Sequence, residues 1–217
     1  MDDADDMAEV SQIQKYVLED SAAVFRVAWY AIASKPNVLL EEYSEAESTI
    51  FQGYARFSLQ IAGEKAFASI KVKEVDASVE LHAQGKDEVA LKVYLDDIKQ
   101  RLEDAFDKFQ SLPEEDLSKL KRALVAKICW DKVVYLILKK SPLSDVYFQI
   151  AHGREMMIKA TEGDDGVNPL TLTTSGWLSN IESLPHEEPL PGNIASELAK
   201  KSIEWKKGTY EVIRRYL

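Results

Sequence analysis

Residues 55–83 read "ARFSLQIAGEKAFASIKVKEVDASVELHA", and whether this stretch pleats or coils decides the class of the fold. Phe57, Leu59 and Ile61 alternate with polar neighbours. After "GEK" come Ala68, Ile70 and Val72, and then Val75, Ala77, Val79 and Leu81 on the opposite parity. Period two with β-branched enrichment is the signature of strands, and the parity slip places a turn or bulge near Lys73 and Glu74. A rival reading takes Ala68, Val72, Val75, Val79 and Ala83 at three-four spacing as one helix. Strands are the stronger reading, as a small β-hairpin or meander at about 55–83.

Outward from this stretch the signals turn helical. From Met7 to about Ser34 the apolar positions Val10, Ile13, Val17, Val24, Phe25, Ala28, Trp29 and Ile32 recur at helical spacing, with a break near Asp20. The acidic "DDADD" before them suits a helix N-terminal end. "KPN" at 35–37 stops the pattern; Leu39, Tyr43, Ala46, Ile50 and Tyr54 then predict a second helical segment to about Gly53.

On the other side, Leu91, Leu95, Ile98, Leu102, Ala105, Phe109 and Leu112 step by four and three, a heptad stripe. "SLPEED" turns the chain, with Pro113 suited to a first helical turn and the acids after it to the helix dipole. The helix that follows is apolar on nearly every side between Leu124 and Leu138, as a central, buried helix is. A shorter helix is predicted from Leu143 to about Lys159. Residues 161–193 hold 4 of the 7 prolines and 4 of the 9 glycines, and read as a long mobile or functional loop in which "LTLTTSGWL" packs as an extended piece through Trp177. A C-terminal packing helix is expected over 194–217. The fold expectation is therefore mainly α: one domain over 1–217, a helical bundle built on a long antiparallel hairpin at about 88–140, with the small β element beside it (α+β).

Composition bounds the function. The single Cys129 excludes an intramolecular disulfide, and three histidines leave few ligands for a structural zinc site. The N-terminus lacks the basic and apolar regions of a signal peptide, and the longest strongly apolar run, "VVYLIL" at 133–138, is far short of the roughly 20 residues a membrane span needs. An intracellular, cytoplasmic protein without a membrane span is the expectation. Net charge is −10, which repels nucleic acid at long range, yet residues 1–116 carry −13 and residues 117–217 carry +3. The second half thus offers a basic surface of Lys119, Lys121, Arg122, Lys127, Lys139, Lys140 and Arg154 for RNA or DNA.

Catalytic patterns are sparse. "EEYSE", with Glu41, Glu42 and Glu45, resembles the EExxE helix motif of the all-α nucleotide pyrophosphohydrolases, whose clustered carboxylates hold Mg²⁺ against a triphosphate. That resemblance implies a metal-dependent nucleotide hydrolase. The family's downstream ExxD is lacking, since Glu74 and Asp76 have the wrong spacing, and a solvated helix face is the stronger reading. His152 beside Arg154 and Glu155 has no nucleophile or phosphate-binding loop near it in sequence. The sequence holds no cofactor motif.

The last helix, "AKKSIEWKKGTYEVIRRYL" at 199–217, mixes rings and cations. On a helical wheel its apolar residues form one arc, while Glu197, Glu204 and Glu211 alternate with lysines and arginines at three- and four-residue spacing. Nucleic-acid stacking needs unpaired cations beside exposed rings, so this is a packing helix. Two residues do not fit it: Lys206, inside the apolar arc, and Gly208, which weakens a helix by about 1 kcal/mol relative to Ala. The expected function is that of a non-enzymatic helical interaction or assembly protein, binding a protein partner or itself as a homo-oligomer. Its contacts are expected through Trp177, Pro185, Pro189, Pro191, Trp205 and Tyr210.

Overall fold

The computed structural model describes residues 7–15, 20–34, 37–47, 50–76, 78–164, 166 and 168–217. The acidic lead-in at 2–6 lies outside them, as do Lys35 and Pro36 of the "KPN" stop. The chain divides into two compact units, Met1–Asp107 and Lys108–Leu217. Among the described residues no helix is long and apolar enough to cross a membrane.

The first unit is an antiparallel sheet with two helices. In chain order it runs β1 (Ala8–Lys15), α1 (Ser21–Ile32), β2 (Leu39–Glu47), β3 (Phe51–Ile61), β4 (Glu64–Lys73), β5 (Ser78–Gly85) and α2 (Glu88–Ser111), the last continuing past the unit boundary. The sheet order is β1-β5-β4-β3-β2: four strands form a meander, and β1 closes the far edge against β5. The β3–β4 hairpin turns on Ala62 and Gly63, both at positive φ (52° and 82°), the mirror-image turn that matches the twist of its strands. The parity slip near Lys73 is the β4–β5 turn.

One face of the sheet is the core. Ala55, Phe57, Leu59, Ala68, Ile70, Val72, Val79, Leu81 and Ala83 are all buried. α1, capped by the Asp20 carboxylate on the Ala23 amide (2.9 Å), lays Phe25 and Trp29 on it. Trp29 meets Phe57 edge-on at 5.2 Å, and Phe25 fills the space over Gly53, where a Cβ would stand 2.8 Å from its ring. Burying side chains of this size contributes about 1.5–3 kcal/mol each. The heptad stripe of α2 belongs to the same core: Leu91, Leu95, Ile98 and Leu102 are buried, Leu91 abuts Gly85, and Asp96 accepts from Gln12 of β1 (2.7 Å).

The mainly-α expectation is therefore corrected: the protein is α+β, with five strands among the described residues where one small β element was expected, and the stripe of the supposed 88–140 hairpin is buried in a sheet-containing unit. Both misread strands are edges. β1 turns Ala8, Val10, Gln12 and Gln14 to one side and leaves Ile13 65% exposed on the other, so its apolar residues do not alternate. β2 carries Glu41, Glu42 and Glu45, which an edge strand tolerates because one side of its ladder faces water.

The second unit is helical: α3 (Glu114–Leu138), α4 (Leu143–Ala160), α5 (Pro169–Ile181) and α6 (Gly192–Ile213). α3 is central and packs on both α4 and α6. Trp130 is wholly buried and donates to the Thr209 hydroxyl (2.9 Å), and α4 approaches it at Gly153, where a Cβ would stand 2.6 Å from the indole. Residues 161–193 contain a helix rather than one long loop. Asn168 caps α5 through the Leu170 amide (2.9 Å) with Pro169 in its first turn, and this start signal outweighs the strand-like Leu-Thr alternation. Residues 186–188 then cap α4: the carbonyls of Glu188 and His186 accept from the amides of Leu143 (2.8 Å) and Ser144 (2.9 Å).

Candidate functional site

The face of the sheet opposite the core is open and polar. Pairing register aligns its side chains in rungs across the strands. One rung runs Glu42, Arg56, Ser69, His82, Ser11; the next runs Ser44, Tyr54, Lys71, Glu80, Ile13; on the other side lie Ser58, Phe67, Gln84 and Glu9. At the centre these residues surround a shallow concavity of about 390 Å³. Arg56 is held there from two directions, donating to the Gln84 side chain (3.0 Å) and lying 4.5 Å over the Phe67 ring. Lys65 approaches the same ring (5.2 Å). Tyr54 hydrogen-bonds Ser69, and burial with the Glu42 charge raises its phenol above the usual range.

Acids flank this basic and aromatic centre. Glu80 accepts from Lys73 (3.0 Å), and that bond holds its carboxyl below the usual range. His82 sits 3.9 Å from both Glu9 and Glu80. The arrangement provides a preorganised guanidinium over an aromatic ring with charge balanced around it. Arg and aromatic residues carry most of the energy where proteins meet.

The second unit holds a different cluster, inside its core. The Lys127 ammonium nitrogen lies 2.6 Å from Asp131 Oδ2, one turn along α3, and Lys206 of α6 pairs with Oδ1 of the same carboxylate. Side-chain exposures are 0% for Lys127, 3% for Asp131 and 9% for Lys206. Burial brings Lys127 down to about 7, with Lys206 adding to it and Asp131 opposing. Burial raises Asp131, but the two lysines outweigh it and hold the carboxyl below its ordinary value.

The residues singled out in the sequence fall apart in space. Trp205 and Tyr210 are core residues, Trp177 is half-buried, and Pro185, Pro189 and Pro191 are exposed beside the segment that caps α4. Of the basic set, Lys127 is in the core. Lys119 is bound to Glu115 (3.0 Å), Arg122 to the Lys159 carbonyl (3.3 Å) and Arg154 to Ser175 (2.6 Å). Lys121 lies over Phe109 and Lys139 over Tyr135. About 30 Å of helix separates Lys119 from Lys139 and Lys140. Glu41, Glu42 and Glu45 stand on a strand, where Glu42 pairs with Arg56 of the open face while Glu45 pairs with Gly53 of the core face. Residues three apart point oppositely there, so the motif does not converge. Among the described residues no group of three or more His, Cys, Asp or Glu is placed to hold a metal.

Sequence reasoning missed both sites. The open face is assembled from five strands by register, which no local pattern announces. The buried cluster did leave two signals, Lys127 and Asp131 one turn apart on the most apolar helix, and Lys206 in the apolar arc of the last. No family model, curated protein or solved structure matches the chain.

Proposed function

We propose that the chain is a non-enzymatic assembly protein that pairs with a second copy of itself through the open sheet face. The observation that carries this is the central concavity, where Arg56 is fixed over Phe67 and ringed by acids. A two-fold contact must be self-complementary, since the same patch meets itself. This face supplies both signs, with Lys71 on the middle strand, Arg56 and Glu80 on the strands to either side of it, and Glu42 and Glu9 on the two edges. Five strands about 4.8 Å apart and about eight residues long make a face of roughly 24 by 26 Å. With side-chain relief that approaches the roughly 800 Å² per partner of a stable interface.

Light scattering coupled to size-exclusion chromatography tests it. The wild type is expected at about twice the 24.5 kDa chain mass, and the double variant Arg56→Glu, Phe67→Ala at the single-chain mass with unchanged circular dichroism. A monomeric wild type at the highest soluble concentration overturns the reading, and so does a variant that still dimerises. Deleting residues 161–193 is a poorer probe, because it removes α5.

A further inference from the structure

The Lys127–Asp131–Lys206 cluster carries an inference that goes beyond assembly. Asp131 has one negative charge and two oxygens, and each oxygen takes a different lysine. Were all three groups ionised, the core of the second unit would hold a net positive charge away from water, an arrangement strongly disfavoured without a second anion. One lysine has to give up its proton, and the geometry selects which. Lys206 keeps a small exposure, whereas Lys127 has none. A neutral Lys127 amine still donates to Asp131, so losing the proton leaves the 2.6 Å contact satisfied.

We propose that docking of α6 on α3 is coupled to proton release: seating the Lys206 ammonium against Asp131 expels the proton of Lys127. With α6 undocked, Lys206 no longer competes for Asp131, and Lys127 keeps its charge. With α6 docked, Asp131 serves Lys206, and Lys127 stays as a neutral donor. The position of Lys127, at about 7 in the docked form, agrees with this exchange. The charged groups acting on Lys127 are Asp131 on its own helix and Lys206 on α6. α4 brings Gly153 and Met157 to the same helices, neither of which titrates, and Cys129 is the buried thiol of α3 beside Gly153.

The sign follows from linkage. The folded-state value of Lys127 is depressed, so between about pH 7 and about pH 10.4 the undocked form holds one proton more. Over that window docking strengthens about tenfold per pH unit as pH rises, and below about pH 7 it is level. A thiol exposed on undocking acts in the opposite sense above about pH 8.5, so the Lys127 contribution is read as the difference between wild type and Lys127→Met.

Side-chain nitrogen resonances of isotope-labelled lysine in the full chain, followed from about pH 5.5 to about pH 10.5, test the proposal. One lysine is expected to titrate near 7, to vanish in Lys127→Met, and to move up in Lys206→Met, where Asp131 no longer serves a second cation. The unfolding midpoint of the wild type is expected to climb with pH relative to Lys127→Met. All lysines titrating above about 9 in the wild type overturn the proposal, as does a Lys127 resonance indifferent to Lys206→Met. If neither variant folds, the wild-type titration decides alone.

Discussion

The two units treat charge in opposite ways. The first lines the buried core face of its inner strands with apolar residues and sends Arg56, Lys71, Glu80 and His82 to the open side of the sheet. The second places two lysines and an aspartate among Trp130, Trp205 and Thr209. The difference follows from geometry. A strand alternates faces every residue, so polar side chains leave the core at no cost. A central helix packed on two neighbours has no solvent face for much of its length, and its polar residues must find partners within.

Removing the partner that balances the buried charges breaks this contrast most severely. Asp131→Ala leaves two lysines without their counter-ion and is expected to cost about 3–5 kcal/mol in chemical denaturation. Replacing the whole cluster by Lys127→Met, Asp131→Leu and Lys206→Met makes the second core resemble the first. It is expected to be neutral or to stabilise by about 1–4 kcal/mol in the same measurement. In wild type the lowered Asp131 carboxyl contributes stability that is present above about pH 4 and lost as pH falls through its folded value. An acid titration followed by tryptophan fluorescence should show that loss, and Asp131→Leu in the triple variant should remove it.

Glycines set against an aromatic ring offer a milder comparison, since each unit has one among the described residues. Gly153→Ala against Trp130 and Gly53→Ala against Phe25 are each expected to destabilise by about 1–3 kcal/mol, with Gly153 the worse because its ring is the closer and is hydrogen-bonded to Thr209. On the open face, Arg56→Ala should shift thermal stability by less than about 1 kcal/mol, as solvated residues do, while weakening self-association measured by light scattering. The smallest effect is a gain. Ala62→Asn places a residue tolerant of positive φ in the hairpin turn and should add about 0.5–1 kcal/mol.

Helices α3, α4 and α6 of the second unit were legible to within a few residues, because a buried helix writes its period along the chain. α3 was expected from 114 to about 140 and runs Glu114–Leu138. Strands β3, β4 and β5 were legible for the same reason, being pleated with one buried face. The edges β1 and β2 were not. Each has a neighbour on one side only, and the tolerance this allows put Gln12 inward, Ile13 outward and three glutamates on β2. α5 was hidden by its threonines, although "NP" at 168–169 marked its start.

By itself the sequence determined the central strands, the helices α2, α3, α4 and α6, and the two misfits of the last helix, all properties of residues a few positions apart. Tertiary structure alone decided which face of the sheet stays open, that Lys206 answers Asp131 some seventy-five positions earlier, and that Gly208 admits Leu170 of α5, where a Cβ would stand 3.1 Å from its methyl. These depend on register and helix packing between segments distant in the chain. No local period encodes them.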